Sequence, residues 1–203
     1  MLLLGKQVGA SGLLYLAQPT SSHSDTLTLN RIRAATGEAH ARLEARFDAI
    51  ERLADPAQRD DTIRVYGDLY LAANEALGPT AVALGLGSAR RADAFAGRLP
   101  TATHAPFPDP ATAAEALGML YVIEGSTLGG RIILRQLAAR GIDDPRLAFL
   151  DPYGADTGRH WRDFLAILER ETSDDAANAA EAVQGAIRGF RFAEATLCGG
   201  PRP

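Results

Sequence analysis

The sequence predicts an all-α fold, and three features carry that prediction. Apolar residues return at steps of three and four in several long windows, the period of a helix with one buried face. Alternation of apolar and polar residues, the mark of a half-buried strand, is absent, and no internal repeat is found. Residues 111–141 run without a proline, so they read as the longest helix. A chain of 203 residues with 46% hydrophobic and 23% charged residues suits one compact domain with a sizeable core.

Each element follows from its own stretch. Residues 25–53 place Leu29, Ile32, Leu43, Phe47 and Ile50 on a helical period with Ala35 and Ala39 between them. Asp25 or Thr28 can cap the start, and Asp55-Pro56 ends the run, because a residue before proline resists the α conformation. Residues 58–77 repeat the pattern through Ile63, Tyr66, Leu69, Tyr70 and Ala73, stopping before Gly78-Pro79. From residue 80 to 110 the reading is mixed: a short helix at 90–99, then THAPFPDP, a loop by its prolines. Asp109-Pro110 opens the longest helix, with proline in its first turn. Helices over 158–170 and 173–197 complete the set, the last with Ser173-Asp174-Asp175 as an acidic, capping-competent start.

Residues 1–24 read as a disordered extension, 25–197 as the helical domain and 198–203 as a flexible tail. The opening apolar pieces are broken by Gly5, Gly9 and Gly12, far short of the ~20 unbroken residues of a membrane span, and they make a poor signal peptide. Net charge is −4, with no run of Lys or Arg longer than two, so neither a nucleic-acid nor a membrane partner is expected. Cys198 is the only cysteine. It permits no intrachain disulfide and no thiolate zinc site, and a reducing cytoplasm is the expected compartment.

Two stretches carry chemistry. In LYVIEGSTLGG, residues 120–130, three glycines sit inside a helical run, where each costs about 1 kcal/mol relative to alanine. Tyr121, Gly125 and Gly129 share one face. Bare backbone there admits either a neighbouring helix at close range or a large planar ligand, and Gly-Ser clusters are also sites of bending. In RIRAATGEAHARLEARF, residues 31–47, His40 sits at the edge of the apolar stripe, one turn after Thr36 and one turn before Glu44. Glu44 can take one ring nitrogen and leave the other for a metal, although a histidine there also serves as a purely structural residue. Arg33, two turns before His40, can reach a carboxylate at a pocket mouth.

These two stretches, followed by GRHWRDF, resemble the heme oxygenase family, and within it the bacterial branch that supplies biliverdin to bacteriophytochromes. The resemblance covers residues 28–197. It implies a single-domain helical bundle with a kinked, glycine-rich distal helix, and heme as both cofactor and substrate. His40 would be the iron ligand and Glu44 its support. Gly125, Ser126 and Gly129 would form the distal catalytic surface. Arg33 and Tyr121 would hold the propionates, with Arg159 or Arg162 as a further basic contact. Thr36, in the AT-x-x-x-H element, and Phe190 would complete the cofactor contacts. The implied reaction opens heme to biliverdin with release of CO and ferrous iron. It uses O2 and electrons from a reductase such as a ferredoxin or a flavin/NADPH enzyme, and a bacteriophytochrome is an implied recipient of the product.

Ser126 stands where animal members carry an aspartate; a hydroxyl orients water but holds no charge, so it is not expected to be essential. Four other readings compete. A heme or tetrapyrrole binder of this fold would take up heme without turnover. A di-iron oxidase would need paired inward ligands that Glu38, Glu44, Glu115 and Glu124 do not form with the histidines. A thiaminase-like enzyme would need a nucleophilic cysteine, which Cys198 in its tail-like context does not suggest. A helical interaction module would bind neither heme nor metal. His23, His104 and His160 read as surface or structural residues.

Overall fold

The computed structural model describes residues 27–86, 95 and 105–199, and among them the regular structure is helical throughout, with no strand. Six α-helices follow in order: α1 Leu27–Phe47, α2 Ala49–Ala54, α3 Pro56–Ala83, α4 Ala113–Ala139, α5 Thr157–Thr172 and α6 Ala176–Cys198. Two short 3₁₀ helices, Pro145–Leu150 and Gly154–Asp156, join α4 to α5. The expected extension, the helix at 90–99 apart from Phe95, and most of the expected tail lie outside the described residues.

Helix α4 is the centre of the molecule, and every residue from Ala114 to Glu124 is buried. Burial on all sides is what a helix apolar all round requires. By length and composition α4 would also suit a membrane span, but 61% of that window is buried by the rest of the chain. Its closest partner is α6. A Cβ built on Gly118 would fall 1.8 Å from the Ala182 carbonyl oxygen, and one on Gly185 would fall 2.0 Å from that of Glu115. The two backbones therefore touch, and only glycine allows it. Arg42 and Arg46 tie α1 to α6 through Glu194, and the Thr28 hydroxyl donates to that of Thr172 across 2.9 Å to join α1 to α5, the Thr172 proton going to Leu168 O.

Several boundaries differ from the sequence reading, and α3, at 28 residues against 27 for α4, is the longer of the two, so the run after Pro110 is not the longest helix. The first predicted helix is two, broken at Asp48, whose φ of 42° is left-handed. Its carboxylate accepts from Glu51 N and so caps α2. Helix α3 continues past Gly78-Pro79 to Ala83, because Leu77 and Ala81, one turn apart, are both buried and their packing offsets the missing N–H of proline. Helix α4 begins at Ala113, after Pro110, since Thr112 accepts from Glu115 N while Glu115 Oε2 accepts from Ala111 N, a reciprocal cap. Helix α6 starts from an Asp175 cap and runs through Cys198, one residue into the predicted tail.

Candidate functional site

A cavity of about 170 Å³ opens between α1, α3, α4 and α6. Since one water needs ~10–15 Å³, this is a binding space and not a packing flaw. Its walls are mostly apolar, with Leu43, Leu69, Leu128, Ile132 and Leu197 among them.

Helix α1 contributes His40 and Glu44 to one wall. His40 Nε2 lies 3.3 Å from Glu44 Oε1, with the two side chains 34% and 25% exposed. Phe190 of α6 meets the imidazole edge-on, ring centroids 5.6 Å apart. Burial lowers the His40 pKa and pushes the Glu44 carboxyl up to about 7. Burial thereby works against the charged form of both groups, which weakens the ion-pair character of the contact.

Helix α4 supplies the facing wall with Tyr121, Gly125, Ser126 and Gly129. The glycines do not all do the same thing. A Cβ on Gly130 would lie 1.9 Å from the Leu150 carbonyl oxygen, so that glycine serves close packing. A Cβ on Gly125 would meet the Trp161 ring at 3.5 Å, an ordinary contact. The space left at Gly125 therefore backs onto an indole, while its backbone faces the cavity. Close packing is what the bare position at Gly130 serves. Ser126 Oγ donates to Ile123 O at 2.8 Å and Thr127 Oγ1 to Glu124 O at 2.7 Å, back-bonds of the kind that bend helices.

Ser126 Oγ is also 3.1 Å from the Tyr70 hydroxyl. With the single serine proton committed to Ile123 O, Tyr70 is the donor in that bond. Tyr66 stacks on Tyr70 with centroids 5.8 Å apart, and both line the cavity. In the sequence these two tyrosines stand out only as members of an apolar stripe. The signal that could have singled them out was the repeated phenol at a four-residue step.

Tyr121 is deeply placed, and burial raises its pKa against the opposing charge and hydrogen bond of Arg33. Arg33 stands behind Tyr121, off the cavity wall, and its Nε is buried without a hydrogen-bond partner. Three other expected contacts need correction. Thr36 is buried, with its hydroxyl turned back to Ile32 O at 2.7 Å, so its polar atom is spent inside α1. Arg159 and Arg162 are exposed on α5 and do not line the cavity; Arg159 pairs with Asp156, just before the helix, and with Asp163 one turn further along it. The helical period placed them one or two residues from Trp161, but the face that carries Trp161 inward points both arginines outward. Among the described residues no group of three or more His, Cys, Asp or Glu side chains is gathered as a di-iron cage needs.

Comparison with known proteins bears on what such a cavity holds. A family model described as heme oxygenase matches residues 105–197. Heme oxygenase PigA of Pseudomonas aeruginosa is 32% identical over 166 residues, covering 73% of this chain and 80% of that protein. The chain belongs to the heme oxygenase family. A heme oxygenase of Xanthomonas campestris pv. campestris is 41% identical over 103 residues, 47% of this chain. That match spans 58% of the Xanthomonas protein's length. No solved structure matches the chain. The all-helical architecture accords with this heme oxygenase membership.

Proposed function

We propose that this heme oxygenase family member binds heme between α1 and α4 with His40 as the iron ligand. It then opens the ring to biliverdin, with release of carbon monoxide and ferrous iron, using dioxygen and electrons from a separate reductase. The observation that carries the reading is the opposition of two walls: a half-buried imidazole beside a carboxyl on α1, and a turn of α4 at Gly125 and Gly129 that offers backbone in place of side chains.

The residues present fit the group. A flat apolar macrocycle suits walls of leucine, isoleucine and aromatic rings, and the Tyr121 phenol on that wall, backed by Arg33, can donate to a carboxylate at its fringe. Bound heme supplies the iron that activates dioxygen and the carbon skeleton that is cut. The chain supplies the rest. Burial keeps the His40 ring neutral, so a nitrogen lone pair is available for iron while the other nitrogen is held by Glu44; a half-turn about the Cβ–Cγ bond exchanges the two. Tyr70 and Ser126 hold their protons in a fixed direction along the α4 wall, and the Tyr70 oxygen can accept from a water placed there. Tyr121, held from behind by Arg33, orients the substrate in its plane and thereby chooses which edge meets the α4 wall. A ferredoxin or flavin/NADPH reductase as electron source, and a bacteriophytochrome as recipient of the product, belong to the same proposal.

The experiment mixes the purified chain with hemin, records the visible spectrum, then adds reductant in air and follows the bilin band. A Soret complex that converts to biliverdin supports the enzyme. A stable Soret complex with no bilin identifies a binder without turnover. His40→Ala should abolish turnover. An unchanged Soret band with full biliverdin yield in that variant removes His40 as the ligand.

A further inference from the structure

On the side of α4 turned away from the cavity, one carboxylate gathers three segments of the chain. Glu124 precedes Gly125 and is 7% exposed. Its Oε2 lies 2.9 Å from His160 Nε2 of α5 and accepts from the Tyr153 hydroxyl at 3.3 Å. The Tyr153 and His160 rings stack with centroids 3.8 Å apart and planes inclined by 24°. None of the three lines the cavity. The next residue after His160 is Trp161, whose indole lies against Gly125 and Tyr121 of α4 and on Phe164 of its own helix.

From this geometry we infer that Glu124, His160 and Tyr153 form a latch that holds the first turn of α5 on α4 and so keeps Trp161 pressed against Gly125. They are positioning residues, acting on the cavity through Trp161 and through the α4 turn that bears Gly125. Buried polar groups gathered at one oxygen have a narrow range of satisfactory arrangements, so the cluster fixes a separation that apolar contact alone would leave loose. An indole backed by the latch resists displacement of the Gly125 turn when a flat ligand presses on its other side. The consequence for heme rests on the function proposed above; the geometry of the latch does not.

Trp161 is the only tryptophan in the chain, so its fluorescence reports the latch directly in heme-free protein. His160→Leu should shift the emission of the folded protein to longer wavelength and make it more open to acrylamide quenching. His160→Gln, which keeps a donor at similar reach, should restore both toward wild type. Glu124→Met, apolar and of similar length, should repeat the His160→Leu shift and serves where that variant does not fold. Hemin titration of the same proteins should show a roughly tenfold loss of affinity for the two latch-breaking variants and recovery in His160→Gln. A merely structural role lowers the melting temperature without moving folded-state emission or rescuing with glutamine. Wild-type emission and quenching in both His160→Leu and Glu124→Met overturns the latch, and a shifted emission with wild-type hemin affinity overturns its link to the cavity. Should wild-type protein fail to bind hemin at all, the proposed function falls, while the heme-free fluorescence still decides the latch.

Discussion

At the scale of single residues, environment turns ordinary side chains into a specialised pair. Glu44 has its carboxyl raised to about 7 by burial, so the folded chain binds a proton there that the unfolded chain has released. Its contribution to stability is complete below the usual carboxyl value and is lost as pH rises through about 7. In heme-free protein the melting temperature should therefore fall between pH 5 and pH 8 more steeply than in Glu44→Gln, and equal slopes by calorimetry would remove the assignment. His40 moves the opposite way, since burial disfavours its charged form and stability is lost as pH falls through its lowered value. Gly125 offers a second test. Because a methyl there meets Trp161 at an ordinary 3.5 Å, Gly125→Ala should gain up to about 1 kcal/mol of helix stability. Gly125→Leu should overpack the indole and cost about 1–3 kcal/mol. Thermal melts of the two variants separate these signs.

Among whole elements, the fold depends on how closely α4 can be approached. Gly118 and Gly185 let α4 and α6 meet backbone to backbone, and Gly130 admits the 3₁₀ turn at Leu150. A methyl at Gly130 has only a rigid carbonyl to displace, so Gly130→Ala should cost about 3 kcal/mol or more, the reverse of the effect at Gly125 five residues earlier. Denaturant melts of the pair compare two glycines of one helix with opposite outcomes. The break between α1 and α2 rests on Asp48. Replacing it with alanine removes the α2 cap and leaves a β-carbon in a left-handed conformation, for an expected loss of about 1–2 kcal/mol. Asp48 also borders the cavity, so that variant should alter hemin uptake together with stability.

For the molecule as a whole, ligand and fold are coupled by mass action. Anything that binds the folded chain alone stabilises it, by about 2.7 kcal/mol when present at a hundred times its dissociation constant. Hemin should therefore raise the melting temperature of the wild type in a concentration-dependent way, and should raise that of His40→Ala less at equal concentration. Identical shifts would mean that uptake depends on the apolar walls alone. The aromatic cluster of Tyr66, Tyr70, Phe95 and Phe149 and the tightly packed α4–α6 pair surround the cavity with stiff elements, which is what a preorganised site needs.

The helical class, a long helix within residues 111–141 and the shared face of Tyr121, Gly125 and Gly129 were all legible in the sequence, because periodicity and glycine placement are local properties of a helix. His40 and Glu44 were legible for the same reason, being one turn apart on one helix. What only the tertiary structure decided was which surface each bare or polar position meets. It turned Gly130 toward Leu150 and the open face of Gly125 toward Trp161, sent Arg159 and Arg162 outward, and brought Tyr70 to Ser126 from 56 residues away. It also joined Glu124, Tyr153 and His160 at one oxygen. Contacts of that kind depend on how helices cross and how closely they approach, and no local pattern in a single chain encodes either.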